Sequence, residues 1–99
     1  MKPHQFHRRA RAEYAEAARR YAAISPALGE QFYREIEQLI AEICERPHMF
    51  RQFDPPARRH FGFRFPFQVV YLDLPDQIWI IAVAGFKQSP GYWQERMAD

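Results

Sequence analysis

Apolar residues recur at helical spacing through the first half of the chain. In residues 10–23 an apolar stripe follows one helix face and consists of Tyr14, Ala18, Tyr21 and Ala22. A second stripe extends to about residue 45 and consists of Leu28, Phe32, Ile36, Leu39, Ile40 and Ile43. Between the stripes, Ser25 is a favourable N-cap and Pro26 suits the first helical position. The pattern therefore predicts two amphipathic helices in an antiparallel hairpin.

The second half of the chain has the pattern of β-strands. Three stretches are rich in β-branched and aromatic residues, and they span residues 58–63, 65–74 and 78–86. A short turn with Pro75, Asp76 and Gln77 joins the last two, which predicts an antiparallel hairpin. Pro66 is expected at the start of its strand or on an edge of the sheet, because proline cannot donate a ladder hydrogen bond.

The remaining segments complete the predicted fold. Residues 3–8, with Phe6 as their one strong apolar residue, are a candidate first strand. Residues 47–57 contain Pro47, Pro55 and Pro56 and are predicted to be a loop. Residues 90–97 are expected to form a short helix or turn after the Pro90-Gly91 turn signal. The predicted class is α+β in the order β-α-α-β-β-β, an antiparallel sheet with the helical hairpin packed on one face.

The strand at residues 78–85 is apolar on both faces. Simple alternation places Ile78, Ile80, Ala82 and Ala84 on one face, and Trp79, Ile81 and Val83 on the other. A helical hairpin covers only one face of a sheet, so something else must cover part of the second. The alternatives are the segment with Tyr92 and Trp93, the chain's own loops, a second copy, or a partner chain. We expect a partner, because exposed apolar patches usually mark an interaction site.

Composition narrows the class of protein. The 99 residues suit one compact domain over residues 1–99, and a hydrophobic fraction of 47% argues against disorder. A net charge of +2 permits contact with nucleic acid without requiring it.

Cys44 is the single cysteine, which excludes an internal disulfide and fits a reducing cytoplasm. No stretch has the length of a membrane span, and the first residues do not have the pattern of a signal peptide.

The order of elements and several short motifs together resemble the RelE/ParE toxin superfamily. The second half carries the resemblance in three motifs: FPFQVVY at residues 65–71, IIAVA at 80–84 and PGYWQER at 90–96. The first half carries it at Ala12-Glu13, Ser25-Pro26, Phe32 and Pro47. The resemblance implies a bacterial toxin of a type II toxin–antitoxin module. It also implies a cognate antitoxin, whose C-terminal segment wraps the toxin and holds it inactive.

Members of this superfamily either cleave mRNA on the ribosome without a metal or inhibit DNA gyrase. For RNA cleavage, the resemblance implies Arg64, Lys87 and Tyr92 as catalytic residues, since protons must move and the phosphate charge must be stabilised. The candidates for contact with a partner or with nucleic acid are Arg58, Arg59, His60, Trp79 and Trp93. The alternatives are ordinary surface charge or ion pairing for the basic residues, packing for Tyr92 and Trp93, and a structural role for His60.

Departures from the family pattern point away from catalysis. Gly85-Phe86 follows the AVA strand, where related toxins ending in PGYW often have a histidine, and Lys87-Gln88-Ser89 is a thinned basic cluster. Residues 51–57 contain Arg51 but no lysine, whereas RNA-cleaving members tend to be lysine-rich there. We therefore favour a ParE-like toxin that binds a target such as DNA gyrase. A RelE-like ribosome-dependent endoribonuclease, or a non-toxic member that retains only antitoxin binding, are the alternatives.

No cofactor or metal is expected. The histidines His4, His7, His48 and His60 lack metal-ligand spacing, and no glycine-rich phosphate loop is present. Cys44 lies beside the second helical stripe and is expected to be a small core residue. The expected partners are a cognate antitoxin and either DNA gyrase or the ribosome with its mRNA, with no membrane.

Overall fold

The elements follow the predicted order, with one strand added. A computed structural model of the chain describes residues 1–88 and 91–98. The elements are β1 (His4–Phe6), α1 (Arg8–Ile24), α2 (Pro26–Glu45), β2 (Arg51–Asp54), β3 (Ala57–Phe61), β4 (Phe67–Asp73), β5 (Ile78–Gly85) and a 3₁₀ helix (Gln94–Ala98). The predicted α+β class is confirmed, with two helices between the first strand and the others. Ser89 and Pro90, and with them half of the predicted Pro90-Gly91 turn, lie outside the described residues.

Ser25 joins the two helices, as the sequence predicts. Its hydroxyl accepts a hydrogen bond from the backbone N–H of Leu28 at 3.0 Å, and its own N–H donates to the carbonyl oxygen of Tyr21 at 3.1 Å. One residue therefore caps α2 and closes α1. Gly29 lets the helices approach closely, because a Cβ at this position would lie 2.7 Å from the Cβ of Ala22.

The five strands form one mixed sheet in the order β1-β5-β4-β3-β2. The pairs β3–β4 and β4–β5 are antiparallel, as predicted, and β2, which was not predicted, pairs antiparallel with β3. β1 instead runs parallel to β5, with His4 opposite Ile78 and Phe6 opposite Ile80. The long connection between these strands, which contains both helices, is what allows a parallel pair, since parallel neighbours cannot be joined by a tight turn.

β2 corrects the prediction of a loop at residues 47–57. It pairs antiparallel with β3, with Arg51 opposite Arg59 and Gln52 opposite Arg58. Phe53 is the one strongly apolar residue of β2, and the strand lies at an edge of the sheet. Edge strands are often short and charged, so neither alternation nor length reveals them in a sequence. The other predicted strands are present with shifted ends, and Pro66 directly precedes β4.

The helices cover one face of the sheet and enclose an aromatic cluster. The ring of Phe32 lies 5.0 Å from that of Tyr21, 5.4 Å from Phe65 and 5.0 Å from Phe67, measured between centroids. The helix-side core also contains Ala10, Ala17, Ile36, Leu39, Ile40, Ile43, Cys44, Val69, Tyr71, Ile78, Ile80 and Val83. The predicted stripe of α2 is therefore buried from Phe32 to Ile43, and Cys44 is a buried free thiol, as expected.

A β-bulge in β5 corrects the predicted division of its side chains between faces. Val70 lies opposite Ala82 and Tyr71 lies opposite Ile80, so Ile81 is an extra residue in β5. The alternation reverses there, and Val83 joins Ile78 and Ile80 in the helix-side core. The second face instead has a smaller core, which contains Ala57, Val70, Leu72, Ile81, Ala82, Ala84 and Trp93.

The chain itself covers part of the second face. Trp93 is only 1% exposed and packs into the second-face core, with Tyr92 and Met97 against it. Of the alternatives that the sequence leaves open, the C-terminal segment is therefore the observed cover. A partner is not needed to bury this part of the sheet. The expectation of a partner there, which was based on the apolar second face of residues 78–85, is therefore corrected.

Candidate functional site

Arg64 and Lys87 lie at the same end of the sheet. Arg64 is in the loop between β3 and β4, and Lys87 follows β5. The N–H of Phe86 donates to the carbonyl oxygen of Pro66 at 3.0 Å, which ties the two segments together. Both side chains are exposed. They border different cavities, however: Arg64 lines a groove of about 520 Å³ along α2, and Lys87 lines one of about 560 Å³ beside α1.

Glu35 shapes the loop that carries Arg64. Its carboxylate oxygens accept hydrogen bonds from the backbone N–H of Arg64 at 2.8 Å and of Phe65 at 2.9 Å. A side chain at Gly62 would collide with this carboxylate, because a Cβ there would lie 2.7 Å from Glu35 Oε2. The loop is thus fixed by its backbone, and the Arg64 side chain has no ion-pair partner in residues 1–88 and 91–98.

Tyr92, the third predicted catalytic residue, is held by Glu13 of α1. The Tyr92 hydroxyl donates to Glu13 Oε2 at 2.8 Å, and the Arg96 guanidinium donates to both carboxylate oxygens at 3.0 and 2.9 Å. The N–H of Val83 donates to Oε1 of the same carboxylate at 3.1 Å. Burial and the hydrogen bond to Glu13 raise the pKa of Tyr92 well above its usual value. In this arrangement Tyr92 anchors the C-terminal segment and is a poor proton donor near neutral pH.

Arg58 and His60 lie on the side of β3 that faces the helices. The Arg58 guanidinium donates to the carbonyl oxygen of Phe50 at 2.9 Å, and the His60 ring stacks on the Phe50 ring at 3.8 Å. His60 Nε2 lies 2.7 Å from Glu42 Oε1, and this hydrogen bond lowers the pKa of Glu42. Contacts within the chain therefore engage both side chains, and their predicted part in partner binding remains a prediction.

Arg59 lies on the opposite side of the sheet, in a row of aromatic rings that meet edge to face. Its guanidinium carbon lies 4.3 Å from the centroid of the Phe53 ring and 4.8 Å from that of Phe61. Phe53 meets Trp93 at 5.7 Å, and Phe61 meets Phe86 at 5.5 Å. We call this series, from Trp93 through Arg59 to Phe86, the aromatic–arginine row. It crosses the second face from the C-terminal segment to the end of β5.

The two tryptophans differ in their surroundings. Trp93 is enclosed at the inner end of the row, so its side chain is not accessible to a partner. Trp79 is partly exposed, and its ring lies 6.0 Å from that of His7. The indole nitrogen of each is buried without a hydrogen-bond partner in the described part of the chain. Trp79 therefore remains a candidate for direct contact with a partner. Trp93 is buried and packs beneath the residues that are exposed on this face.

Sequence reasoning missed Glu13, Arg96 and Phe53 as parts of the site. Arg96 is 6% exposed and also donates to the carbonyl oxygen of Ile81 at 2.9 Å. A signal was available for one contact: Tyr92 and Arg96 are only four residues apart, in a segment that is expected to form a short helix or turn. Their pairing with Glu13 joins distant parts of the chain, and nothing in the spacing indicates it.

Within residues 1–88 and 91–98, no three side chains of His, Cys, Asp or Glu are arranged to hold a metal ion. Across the same residues, no helix combines the length and apolar character needed to cross a bilayer.

Comparison with known proteins gives one family and one fold. A sequence profile of the family described as "ParE toxin of type II toxin-antitoxin system, parDE" matches residues 5–89. A solved structure described as "Chromosomal ParDE TA system from P. aeruginosa" matches with a TM-score of 0.76 and 18% sequence identity. This match covers 86% of the present chain and 96% of the other, and at this identity it shows the fold. A search of curated protein sequences gives no significant match.

Proposed function

The chain belongs to the family of ParE toxins of type II toxin–antitoxin systems, and we propose that it arrests growth by binding a cellular target such as DNA gyrase in the cytoplasm. A cognate antitoxin neutralises it in this proposal. The family match supports the class of function, which is a toxin of a toxin–antitoxin system. The structural match to a ParDE system supports the fold. The target and the neutralising partner are inferences about this chain.

The observation that carries the non-catalytic reading is the Tyr92–Glu13 hydrogen bond. A catalytic tyrosine must exchange a proton with its substrate, and its pKa should lie near the working pH. Tyr92 instead donates to a carboxylate of its own chain at 2.8 Å and has a raised pKa. A toxin that only binds its target does not need Tyr92 to exchange a proton.

Ribosome-dependent mRNA cleavage is the second candidate function. It is favoured by one observation: Arg64 and Lys87 lie at one end of the sheet with exposed side chains. Two cations there could stabilise a phosphate. A non-toxic member that only binds an antitoxin is the third reading, and expression of the chain separates it from the other two.

The test is to express the chain in a bacterial host and to assay the purified protein in two reactions. We expect growth arrest, inhibition of supercoiling by DNA gyrase, and no cleavage of ribosome-bound mRNA. Cleavage that is lost in Arg64→Ala but kept in Arg19→Ala, an exposed arginine on α1, would establish the ribonuclease function instead. Normal growth on expression of folded protein would support the non-toxic reading. Co-expression of a short reading frame adjacent to the gene should restore growth if it encodes the antitoxin.

A further inference from the structure

The guanidinium groups of Arg59 and Arg96, both near the second sheet face, have unequal surroundings. Arg96 stacks on the Tyr92 ring at 4.9 Å and is neutralised by both oxygens of Glu13. Arg59 is held between the rings of Phe53 and Phe61, and no carboxylate in the described residues pairs with it. Its Nε is enclosed and also has no hydrogen-bond partner there. The rings therefore fix the position of a cation whose counter-charge the described chain does not supply.

A second unpaired arginine lies beside the first. Arg51 of β2 is directly opposite Arg59 of β3, so both side chains leave the same face of the sheet. Directly opposed like charges destabilise a strand pair, and in residues 1–88 and 91–98 no carboxylate makes an ion pair with either guanidinium. The nearest acid along β2, Asp54, accepts a hydrogen bond from Gln94 Nε2 at 2.8 Å. An anionic group from another molecule would relieve this repulsion.

We propose that Arg51, Arg59, Phe61 and Phe86 form a docking surface for a protein partner that presents a carboxylate side chain flanked by apolar residues. The carboxylate lies against the two guanidinium groups. The apolar residues contact the rings of Phe61 and Phe86, which are 39% and 48% exposed. Arginine and aromatic residues, phenylalanine included, are enriched in protein–protein interfaces. The inference rests on the proposed function, which requires a protein partner, and it adds the chemistry by which one is bound.

The arrangement favours a polypeptide over a nucleic acid strand. A strand of nucleic acid is held by a series of cations that follow its phosphates. Here two adjacent guanidinium groups match a single anion, and next to them lie Phe61, Phe86 and the acidic residue Asp54. The net charge of +2 adds little general attraction for nucleic acid. Binding of an oligonucleotide is therefore the competing outcome of the test.

The experiment is an NMR titration of the isotope-labelled full chain with a short synthetic peptide of alternating Glu and Leu. The matched probes are the same peptide with Gln in place of Glu and an oligothymidine. We expect the largest amide shifts at residues 51–53, 59–61 and 86, and at most weak shifts with the Gln peptide. Equal binding of both peptides, shifts centred elsewhere, no binding, or stronger oligothymidine binding at the same residues would overturn the proposal.

Charge-neutralising variants test the arginines individually. Arg59→Gln and Arg51→Gln should each weaken binding of the Glu peptide by about tenfold, in line with the loss of one close charge pair. Arg8→Gln makes the same change at an exposed position of α1 and should leave the affinity unchanged. Arg51 is exposed, so its variant keeps the test valid even if Arg59→Gln disturbs folding. Wild-type affinity in a folded Arg51→Gln protein would contradict the proposed pairing.

Growth measurements separate this proposal from the proposed function. A chain that arrests growth but does not bind the Glu peptide retains its toxin function and lacks this docking surface. A chain that binds the peptide at the predicted residues but leaves growth unaffected has the surface, and the proposed toxicity fails.

Discussion

Glu13 and Arg96 form a two-point ion pair that joins α1 to the C-terminal segment. The guanidinium nitrogens lie 3.0 and 2.9 Å from the two carboxylate oxygens. The side chain of Arg96 is 7% exposed and that of Glu13 is 21% exposed, so solvent screens the pair much less than a surface ion pair. The same carboxylate also accepts a hydrogen bond from Tyr92, so Glu13 holds two side chains of the segment that covers the second sheet face.

Glu13→Gln should lower the free energy of unfolding by about 2–4 kcal/mol, because it leaves the Arg96 guanidinium buried without a counter-charge. Urea denaturation measures the change. Glu16→Gln on the same helix is the control, since its ion pair with Arg19 is exposed and should contribute less than about 1 kcal/mol. Equal stabilities of the two variants would show that Glu13 is not the anchor of the segment.

Trp93→Ala should lower the free energy of unfolding by about 3–5 kcal/mol, because it opens a cavity in the second-face core. Phe63→Ala removes an aromatic side chain that is 94% exposed and should change stability by about 0.5 kcal/mol or less. Thermal and urea denaturation of both variants check the contrast. A small loss for Trp93→Ala would mean that the C-terminal segment does not cover this face in solution.

Gly29→Ala should destabilise the chain although alanine favours helix by about 1 kcal/mol over glycine. The new Cβ would lie 2.7 Å from the Cβ of Ala22 and 2.9 Å from its Cα, so the helices must separate. Ala22→Gly combined with Gly29→Ala should restore part of the loss, as measured by denaturation. Gly85→Ala is the control, because its Cβ would meet nothing closer than 3.8 Å. Higher stability of Gly29→Ala would contradict the close approach of α1 and α2.

The Glu42–His60 contact should make stability depend on pH on the acid side. The hydrogen bond to His60 holds the pKa of Glu42 below the usual 4.5, so its contribution is present above that pH and is lost as pH falls further. The stability difference between wild type and Glu42→Gln should therefore shrink below pH 4.5. Denaturation from neutral to acidic pH measures it, with the exposed Glu30→Gln as control. A difference that does not change with pH would exclude the linkage.

Local signals explain what could be predicted of the fold. Ser25 and Pro26 define the helix boundary because capping chemistry is local, and the stripe from Phe32 to Ile43 identifies the buried side of α2 because helical periodicity is regular. The extra residue at Ile81 and the parallel pairing of β1 depend on contacts between distant strands. The hydrophobic pattern within one strand does not show where a bulge lies or which strand is its neighbour.

The candidate site was less predictable than the fold. Arg59 was identified as a contact residue from its sequence neighbourhood and the family resemblance, but its place between Phe53 and Phe61 depends on the unpredicted strand β2. Tyr92 was identified through the family resemblance, while its partner Glu13 lies 79 positions away in the sequence. Long-range pairs of this kind follow from the tertiary fold and leave no local pattern.

The parallel pairing of β1 with β5 has a consequence for the order of events during synthesis. The two helices are adjacent in the chain and can associate as soon as both have been made, but β1 must wait for Ile78–Gly85 before it gains its neighbour. Contacts of such long sequence separation are slow to form, because the entropy of closing a long loop must be lost first. While the chain is being synthesised, the sheet therefore stays incomplete and β1 has no strand partner until Ile78–Gly85 has emerged from the ribosome.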